Sequence, residues 1–236
     1  MRPIHAQALQ FKEGGKGGFY MAITQNTLIG RSKQSVGGTT FTTLLGKNVL
    51  KSKPVTVANP KTEGQINQRA KLALLVSIFR LNMGAFNVGF KEMAVGMYPY
   101  NAFTSTNLKN NSVVASGGVA TFNANNFVTS KGTIGSTTIN SAVCDHSDQN
   151  LVVTWDAASI PVGGSASDKV NILAFNTQQN SWVAGDLSVS RSAGTITLDI
   201  PSNWATGNTV SVYLAFSNDM FTKASDSVMV GVSIQG

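Results

Sequence analysis

The second half of the chain is a succession of short apolar runs separated by turn residues, and this pattern limits the possible folds most strongly. Apolar residues alternate with polar or small ones in residues 210–214 and 228–232. Such alternation is typical of a strand with one buried face. The runs recur at intervals of roughly 8–16 residues, which predicts an antiparallel sandwich over residues 106–236. The predicted strands are residues 112–115, 119–122, 133–139, 151–155, 169–176, 182–190, 195–200, 209–216 and 226–234.

Individual residues refine this prediction. Trp155 and Trp182 fall within predicted strands and are expected in the core. The chain has a single cysteine, Cys144, so it lacks the Cys–Trp–Cys pattern of antibody domains. We therefore expect a general immunoglobulin-like or fibronectin-like sandwich within a mainly β (β-rich α+β) protein. Residues 190–194 are predicted to form a tight hairpin turn with Arg191 exposed.

The segment before the sandwich, residues 21–105, begins with β structure. Two β-rich runs at residues 39–45 and 49–52 flank a Gly-Lys-Asn turn and predict a β-hairpin, and residues 21–24 predict a further strand. Residues 1–20 lack the apolar stretch of a secretory signal. Their glycine-rich stretch also lacks the spacing of a phosphate-binding loop. We expect these 20 residues to form a flexible N-terminal arm.

From about residue 60 the apolar period changes to that of a helix. Asn59 with Pro60, or alternatively Thr62 with Gln65, provides a helix start. The expected amphipathic helix runs to about Leu81. A second, weaker helix is predicted over residues 85–94, and it is expected to end at residues 98–101.

The charge of the chain is low and unevenly distributed. Only 12% of the residues are charged, and a low-charge surface favours association with a partner. Residues 1–100 contain 13 Lys and Arg against 3 Asp and Glu, whereas residues 101–236 contain 5 against 8. The excess of basic residues in the first half predicts that it contacts a polyanion. Alternatively, it contacts acidic patches of a neighbouring copy near Asp145, Asp148 and Asp156. A solvated basic face that binds nothing specific is the third interpretation.

The candidate interaction residues are basic side chains of this first half. Lys51 and Lys53 have the same parity, so they are expected on one face of the second hairpin strand. Lys61 and Arg69 flank the start of the predicted helix, where backbone N–H groups also favour anions. We favour pairing with a neighbouring copy over contact with a nucleic-acid backbone. The full set is Arg31, Lys33, Lys47, Lys51, Lys53, Lys61, Arg69 and Lys71.

Residue types that carry catalysis or bind metals are scarce, with two histidines and one cysteine in the chain. The segment Cys144-Asp145-His146-Ser147-Asp148 is predicted to be a polar loop before a strand, because the members of a triad normally come from different elements. It also offers no evident fourth metal ligand. We expect no catalytic, cofactor or metal site. The longest apolar run, residues 72–79, is far shorter than the roughly 20 residues of a membrane span, so none is expected.

Several motifs occur in a distinctive order. A Gly-rich hairpin at residues 35–47 precedes the run Asn59-Pro60-x-Thr62-x-x-Gln65-x-x-Gln68-Arg69, which Tyr98-Pro99-x-Asn101 and the C-terminal strands follow. This order resembles an uncharacterised protein family of Bacteroidota genomes, their phages and prophages, over residues 30–236. The resemblance implies a basic hairpin-plus-helix front joined to a β-sandwich, in a phage or mobile-element setting, and it implies no catalytic positions.

These features predict a non-enzymatic structural protein that assembles with copies of itself. The expected setting is a phage particle, with the protein made in the bacterial cytoplasm as a capsid, decoration or tail component, beside other virion proteins. Adjacent copies would cover the apolar helix surface and the unpaired hairpin edge. Two alternatives stay open. One is a nucleic-acid-associated protein that uses the basic half, and the other is a surface- or carbohydrate-binding sandwich with Trp182 or Trp204 exposed.

Overall fold

The computed structural model of the chain describes residues 21–24, 34–36, 38–44, 47–53 and 59–236. The predicted flexible arm at residues 1–20 and the candidate residues Arg31 and Lys33 lie outside the described residues. Contacts between residues divide the chain into two units, Met1–Pro60 and Lys61–Gly236. The first unit therefore ends just before the predicted amphipathic helix, and that helix belongs to the second unit.

The first unit contains a four-stranded antiparallel sheet. Its strands are β1 (Met21–Thr24), β2 (Gln34–Val36), β3 (Thr39–Leu44) and β4 (Lys47–Ser52), in the order β1-β4-β3-β2. Leu44 pairs with Lys47 at the β3–β4 turn, so the predicted hairpin is confirmed. Threonines supply β-branched side chains to β3, which favour the extended backbone. Beyond β4, the Lys53 N–H donates a hydrogen bond of 2.7 Å to the Gly38 carbonyl.

Three helices begin the second unit: α1 (Glu63–Leu81), α2 (Met83–Gly89) and α3 (Pro99–Lys109). Of the two predicted starts, α1 uses the second, because the Gln65 N–H donates to Thr62 Oγ1 at 3.4 Å. Lys61 has a φ of +50°, so the chain turns there and Pro60 lies outside the helix. The predicted end at Leu81 is confirmed.

The third helix was not predicted from the sequence, which placed the end of a weak helix at residues 98–101. Pro99 occupies its first turn, a position that favours proline. The polar residues of α3 have weak helix propensity, and its stability comes from tertiary contacts. Buried Asn107 donates hydrogen bonds to the Phe103 and Val128 carbonyls at 3.1 and 3.0 Å. Its own carbonyl oxygen accepts from the Ser112 hydroxyl and the Val128 N–H.

The rest of the second unit is β-rich. A hairpin of β5 (Val113–Ser116) and β6 (Val119–Phe122) precedes a seven-stranded sheet in the order β10-β9-β12-β13-β7-β8-β11. All neighbours are antiparallel except β13 and β7, which run parallel. The strands are β7 (Ile139–Asp145), β8 (Asn150–Trp155), β9 (Lys169–Asn176), β10 (Ser181–Ala184), β11 (Thr195–Asp199), β12 (Thr209–Ser217) and β13 (Val228–Gln235).

The sheet encloses one hydrophobic core, to which six of its strands contribute alternate residues. On β9, Val170, Ile172 and Ala174 belong to this core, and Leu173 and Phe175 lie on the opposite face. Trp155 is 3% exposed, which confirms its predicted place in the core. The mainly β class is confirmed, and the pairing is that of a sandwich-like fold. The specifically immunoglobulin-like form stays a prediction.

The outer face of β9 and β12 is covered by the helices. Leu173, Phe175 and Tyr213 form a second core cluster with apolar residues of all three helices. Within it, the Phe86 and Phe103 ring centroids are 4.7 Å apart. Each buried aromatic side chain contributes about 1.5–3 kcal/mol to folding. The helices and the sandwich therefore share a core, which differs from the division into residues 21–105 and 106–236 expected from the sequence.

Two predicted strands differ from the observed ones. Of residues 133–139, Ile134 forms an isolated bridge to Ser225, and the strand β7 begins only at Ile139. Of residues 182–190, only the beginning is strand, because β10 ends at Ala184. The next residue, Gly185, passes so close to Ile172 that an added Cβ would lie 2.3 Å from its methyl group.

Candidate interaction surface

The basic candidate residues that the structure describes are divided between the two units. Lys47 and Lys51 lie on β4 and Lys53 follows that strand, with Lys51 and Lys53 exposed. In the second unit, Lys61 and Arg69 are exposed and Lys71 is partly buried. The six residues thus form two sets, one in each unit.

The net charge is also divided between the units. Residues 1–60 contain eight Lys and Arg and one acidic residue, and residues 61–236 contain ten of each sign. The whole net charge of +7 therefore belongs to the first 60 residues. Within the second unit, residues 61–109 contain six basic and two acidic residues, whereas residues 110–236 contain four and eight. The helical part therefore has a positive net charge, and the sandwich part has a negative net charge of the same size.

The reactive-looking segment at residues 144–148 lies mostly in a hairpin turn. Cys144 and Asp145 belong to β7, which corrects their prediction as loop residues. Cys144 is buried, and burial beside the Asp145 carboxylate raises the pKa of its thiol to about 11. Asp145 accepts the Ser147 N–H at 2.7 Å, and His146 Nδ1 lies 2.8 Å from the Trp204 carbonyl oxygen. Among the described residues, no group of three or more His, Cys, Asp and Glu is arranged to hold a metal ion.

An apolar groove of about 500 Å³ lies where α2, α3 and the β12–β13 loop meet. Its lining includes Val88, Lys91, Ala94, Met97 and Phe221. Large apolar side chains also project around this region, where the chain turns between α2 and α3 and in the loop after β12. The exposed ones are Met93, Val95, Met97, Tyr98 and Met220, and Val95 is 82% exposed.

This apolar region was not among the predicted interaction residues, because residues 85–94 were assigned to a helix. The sequence signal for this apolar region is a pair of methionines, Met93 and Met97, in a five-residue segment that also contains a glycine. Methionine is flexible and polarisable, so it suits surfaces that adapt to a protein partner.

Glu92 holds the groove-forming turn in place. Its Oε2 accepts the N–H groups of Thr133 and Ala224 at 3.2 and 3.0 Å, and its Oε1 accepts the Thr133 hydroxyl at 2.6 Å. Burial opposes ionisation, but these hydrogen bonds outweigh it and lower the pKa of Glu92 below its ordinary value. One carboxylate thereby ties the turn after α2 to two other segments of the unit.

The β8–β9 connection, residues 156–168, lies at the same end of the sandwich as the groove. Lys169 at the start of β9 pairs with Ser217 at the end of β12, so this connection and the β12–β13 loop emerge together. The connection carries Ile160 and Val162, and Val162 is 92% exposed. Turn hydrogen bonds fix this tip: the Gly164 N–H donates to Pro161 at 2.9 Å and the Gly135 N–H donates to Val162 at 3.0 Å.

A buried ion pair anchors the base of this connection. Arg191, predicted to be exposed in a turn, is instead 0% exposed, with Nη2 3.3 Å from Asp168 Oδ2. Its guanidinium lies 3.8 Å from the centroid of the Phe216 ring, and Nη1 donates to the Thr137 hydroxyl. Burial lowers the pKa of Arg191 and the Asp168 charge opposes that effect. The prediction failed because the partners lie far from residue 191 in the sequence.

The tryptophans of the carbohydrate-binding alternative point inward. Trp204 is fully buried, and its indole N–H donates to the Ser181 hydroxyl at 2.7 Å. Trp182 is partly buried among aromatic rings, with the Phe175 centroid 4.6 Å away. Trp204 therefore offers no free face on which a sugar could stack, and Trp182 contacts several aromatic rings of the second core cluster.

Membrane-spanning potential was tested on the helices of the described residues. No single helix there is both long and apolar enough to cross a bilayer. Only α1 and α2 taken together, with a bend of 101° between them, meet the criteria of length and composition.

The fold and surfaces define a class: a β-sandwich-like unit with a helical layer, preceded by a small basic sheet. Residues 30–231 match the model of a family of unknown function (DUF6266), and the chain belongs to that family. The sequence prediction of an uncharacterised family over most of the chain is thereby confirmed. No curated protein matches the chain.

Similarity to solved structures is weak and partial. A β-1,2-glucanase from Parabacteroides distasonis aligns with 10% identity, a TM-score of 0.31, and coverage of 45% of this chain and 14% of the other. The twitchin kinase region from C. elegans aligns with 13% identity and a TM-score of 0.29, and the alignment covers 43% of this chain and 16% of the other. The adhesin domain of Epf from Streptococcus pyogenes aligns with 12% identity and a TM-score of 0.29, and the alignment covers 43% of this chain and 33% of the other. The aligned part thus spans a third or less of each of these proteins.

Proposed function

We propose that this protein is a non-enzymatic structural subunit that assembles with copies of itself. The observation that carries the proposal is the apolar groove, which includes Met97, together with the exposed side chains that adjoin its lining residues in the chain: Met93, Val95, Tyr98 and Met220. Apolar side chains that project together from one end of a unit are costly to leave in water, and such surfaces mark sites of protein association. Assembly would remove them from water.

The way this surface is held also supports the proposal. The Glu92 hydrogen bonds fix the turn that carries Met93 and Val95. A surface that is fixed before binding loses less conformational entropy on association. The second unit has ten residues of each charge sign, so net like-charge repulsion between two copies of this unit does not oppose their approach.

The proposed setting is a phage particle, in which the protein would be a capsid, decoration or tail component beside other virion proteins. This part of the proposal rests on the motif order of residues 30–236 and on its resemblance to phage-associated proteins. The residues of highest chemical reactivity, at 144–148, have structural partners, which fits a protein without catalytic activity.

The experiment is the molar mass of the full-length protein by light scattering, over a range of concentrations and at low and high salt, with negative-stain images. We expect dimers or larger oligomers such as rings, tubes or shells. Val95→Glu should raise the concentration needed for assembly at least tenfold, because it places a carboxylate in an apolar contact. The matched control is Val119→Glu, at a β6 residue that is 68% exposed. A monomer under all conditions would contradict the proposal.

A second candidate function is association with a polyanion such as a nucleic acid. One observation favours it: the net charge of +7 is carried by residues 1–60 alone. Lys51 and Lys53 are exposed at the end of β4 and are suited to contact phosphates without reading sequence. This function is compatible with self-assembly, because the groove lies in the second unit.

A further inference from the structure

We propose that the groove of one copy receives the tip of the β8–β9 connection of a second copy. The tip is Ile160-Pro161-Val162, and the groove is the one lined by Val88, Lys91, Met97 and Phe221. This inference rests on the proposed self-assembly and specifies its contact. It makes the two surfaces parts of one interface between copies.

The tip exposes apolar side chains on a backbone that is held in place. Val162 is 92% exposed and Ile160 is 48% exposed, so both apolar side chains project into solvent. A flexible loop could fold such side chains inward, but this tip is held by its own turn and by Gly135. An added Cβ at Gly135 would lie 2.5 Å from the Pro161 ring, so glycine is needed there for the close approach.

The base of the tip is equally fixed. Asp156 Oδ1 accepts the N–H groups of Ala158 and Ser159 at 3.0 and 3.3 Å. Asp168 Oδ2 accepts the Ser165 N–H at 2.8 Å and also pairs with buried Arg191. The buried ion pair therefore positions an exposed apolar element, which gives the pair a role beyond stability.

Charge is complementary between the two surfaces. Lys91 is an exposed cation in the groove lining, and Asp156 is an exposed anion four residues before Ile160. The acidic groups near the groove are already engaged: Glu92 by hydrogen bonds, Asp219 by Lys169 at 3.8 Å and Asp226 by Lys131 at 3.9 Å. Within the described part of the chain, no carboxylate forms an ion pair with Lys91, and a partner's Asp156 would supply one.

The position of both surfaces suits a closed dimer. The tip and the groove lie at the same end of the unit, where β8 ends and β9 begins. A twofold axis near that end would bring each tip to the other copy's groove, so that the same contact is made twice. Two contacts of this kind reinforce each other, because the second forms at a high effective concentration.

The test is site-specific crosslinking of full-length variants. Met97→Cys and Val162→Cys proteins, one of them tagged, are mixed and oxidised gently, and the linked peptides are identified by mass spectrometry. Native Cys144 is buried and interferes little. We expect at least tenfold more 97–162 crosslink than in the control mixture of Met97→Cys with Val119→Cys.

A double-mutant cycle provides the second measurement. Lys91→Gln and Asp156→Asn should each weaken the assembly by a similar factor, and Asp156→Asn keeps the Oδ1 acceptor of the turn. The double variant should be no weaker than either single variant, because all three lack the same ion pair.

The outcomes separate this inference from the proposed function. Assembly without an excess of 97–162 crosslink and with additive effects of the Lys91 and Asp156 variants overturns the inference and leaves self-assembly in place. Occupation of the groove by a different protein gives that result. A monomer under all conditions overturns both.

Discussion

Arg191 is a fully buried cation whose charge is balanced by one carboxylate and one aromatic ring. Its Nη2 is 3.3 Å from Asp168 Oδ2, and the Phe216 ring lies under the guanidinium. Within the described residues, Arg191 Nε has no hydrogen-bond partner. Burying an ion pair is costly, so such a pair gives little net stability, although the loss of one member leaves a buried charge without compensation.

We therefore expect Arg191→Met to lower the free energy of unfolding by about 3–5 kcal/mol. The control is Lys169→Met, which removes the more exposed pair with Asp219 and should cost about 0–1 kcal/mol. The measurement is urea unfolding of both variants. The double variant Arg191→Met, Asp168→Leu should recover part of the loss, because no lone charge remains. Equal effects of Arg191→Met and Lys169→Met would contradict this account.

Glu92 gives a prediction about pH. Its pKa in the folded protein lies below the ordinary value, so its contribution to stability is complete above the unfolded pKa of about 4.3. The contribution is lost as the pH falls through the lower folded pKa. Glu92→Gln should cost about 1–2 kcal/mol at pH 7, since it weakens hydrogen bonds to a charged acceptor. The difference from the unmodified protein should shrink as the pH falls below about 4.

Other carboxylates titrate in the same range, so the quantity to measure is the difference between the two proteins in urea unfolding at each pH. Asp199→Asn serves as the control, because Asp199 is an exposed residue of β11. A Glu92→Gln difference that is constant from pH 7 to pH 3 would refute the assignment.

At the scale of elements, local patterns predicted what local forces determine. The β3–β4 hairpin, the end of α1 and the alternating strands β8, β11, β12 and β13 all follow from short-range pattern. The helix α3 did not, because its polar sequence is stabilised through Asn107 and Phe103, whose partners are distant. The strand predicted over residues 133–139 failed for the same reason, since Ile134 forms an isolated bridge to Ser225, about 90 positions away.

The same limit applied to the candidate surface. Basic residues can be read directly from a sequence, and Lys51, Lys53, Lys61 and Arg69 are exposed in the structure, as charged side chains usually are. The apolar groove joins α2, α3 and the β12–β13 loop, and no sequence window contains all three. The predicted exposure of Arg191 is wrong because arginine side chains are usually exposed, and only the tertiary contacts with Asp168 and Phe216 bury this one.

The shared aromatic core of helices and sheet gives a prediction at this scale. Phe103 of α3 contacts the rings of Phe79, Phe86, Phe90 and Phe127. Phe103→Ala should destabilise the second unit by about 3–5 kcal/mol. In a Trp182→Phe background, helical circular dichroism and the fluorescence of Trp155 and Trp204 should lose their signals in one transition at the lower urea concentration.

The control is Val119→Ala, at an exposed residue of β6, which should change stability by less than about 0.5 kcal/mol. If Phe103→Ala shifts only the helical signal and leaves the tryptophan transition unchanged, the helices are an independent layer and the single-core description is wrong.

The whole molecule combines a first unit that carries the net charge with a second unit that carries the apolar groove. Residues 61–236 are electrically balanced, so association through the groove would meet little long-range repulsion. The +7 of residues 1–60 would then be repeated in every copy of an assembly. An array of such charges would attract a polyanion, or the acidic loops of neighbouring copies, more strongly than one copy can.

This arrangement predicts which lysines set the salt dependence of polyanion binding. We expect the full-length protein to bind duplex DNA weakly, with an affinity that falls steeply as salt rises. The double variant Lys51→Gln, Lys53→Gln should reduce the slope of log affinity against log salt by about 2, roughly one for each lost phosphate contact. The control variant Lys109→Gln, Lys223→Gln removes the same charge from the second unit and should leave the slope nearly unchanged.

Fluorescence anisotropy at several salt concentrations measures the slope for both double variants. Equal slopes for the two double variants would show that net charge alone matters, whereas no binding by the unmodified protein would leave the acidic loops of a neighbouring copy as the partner of the basic unit.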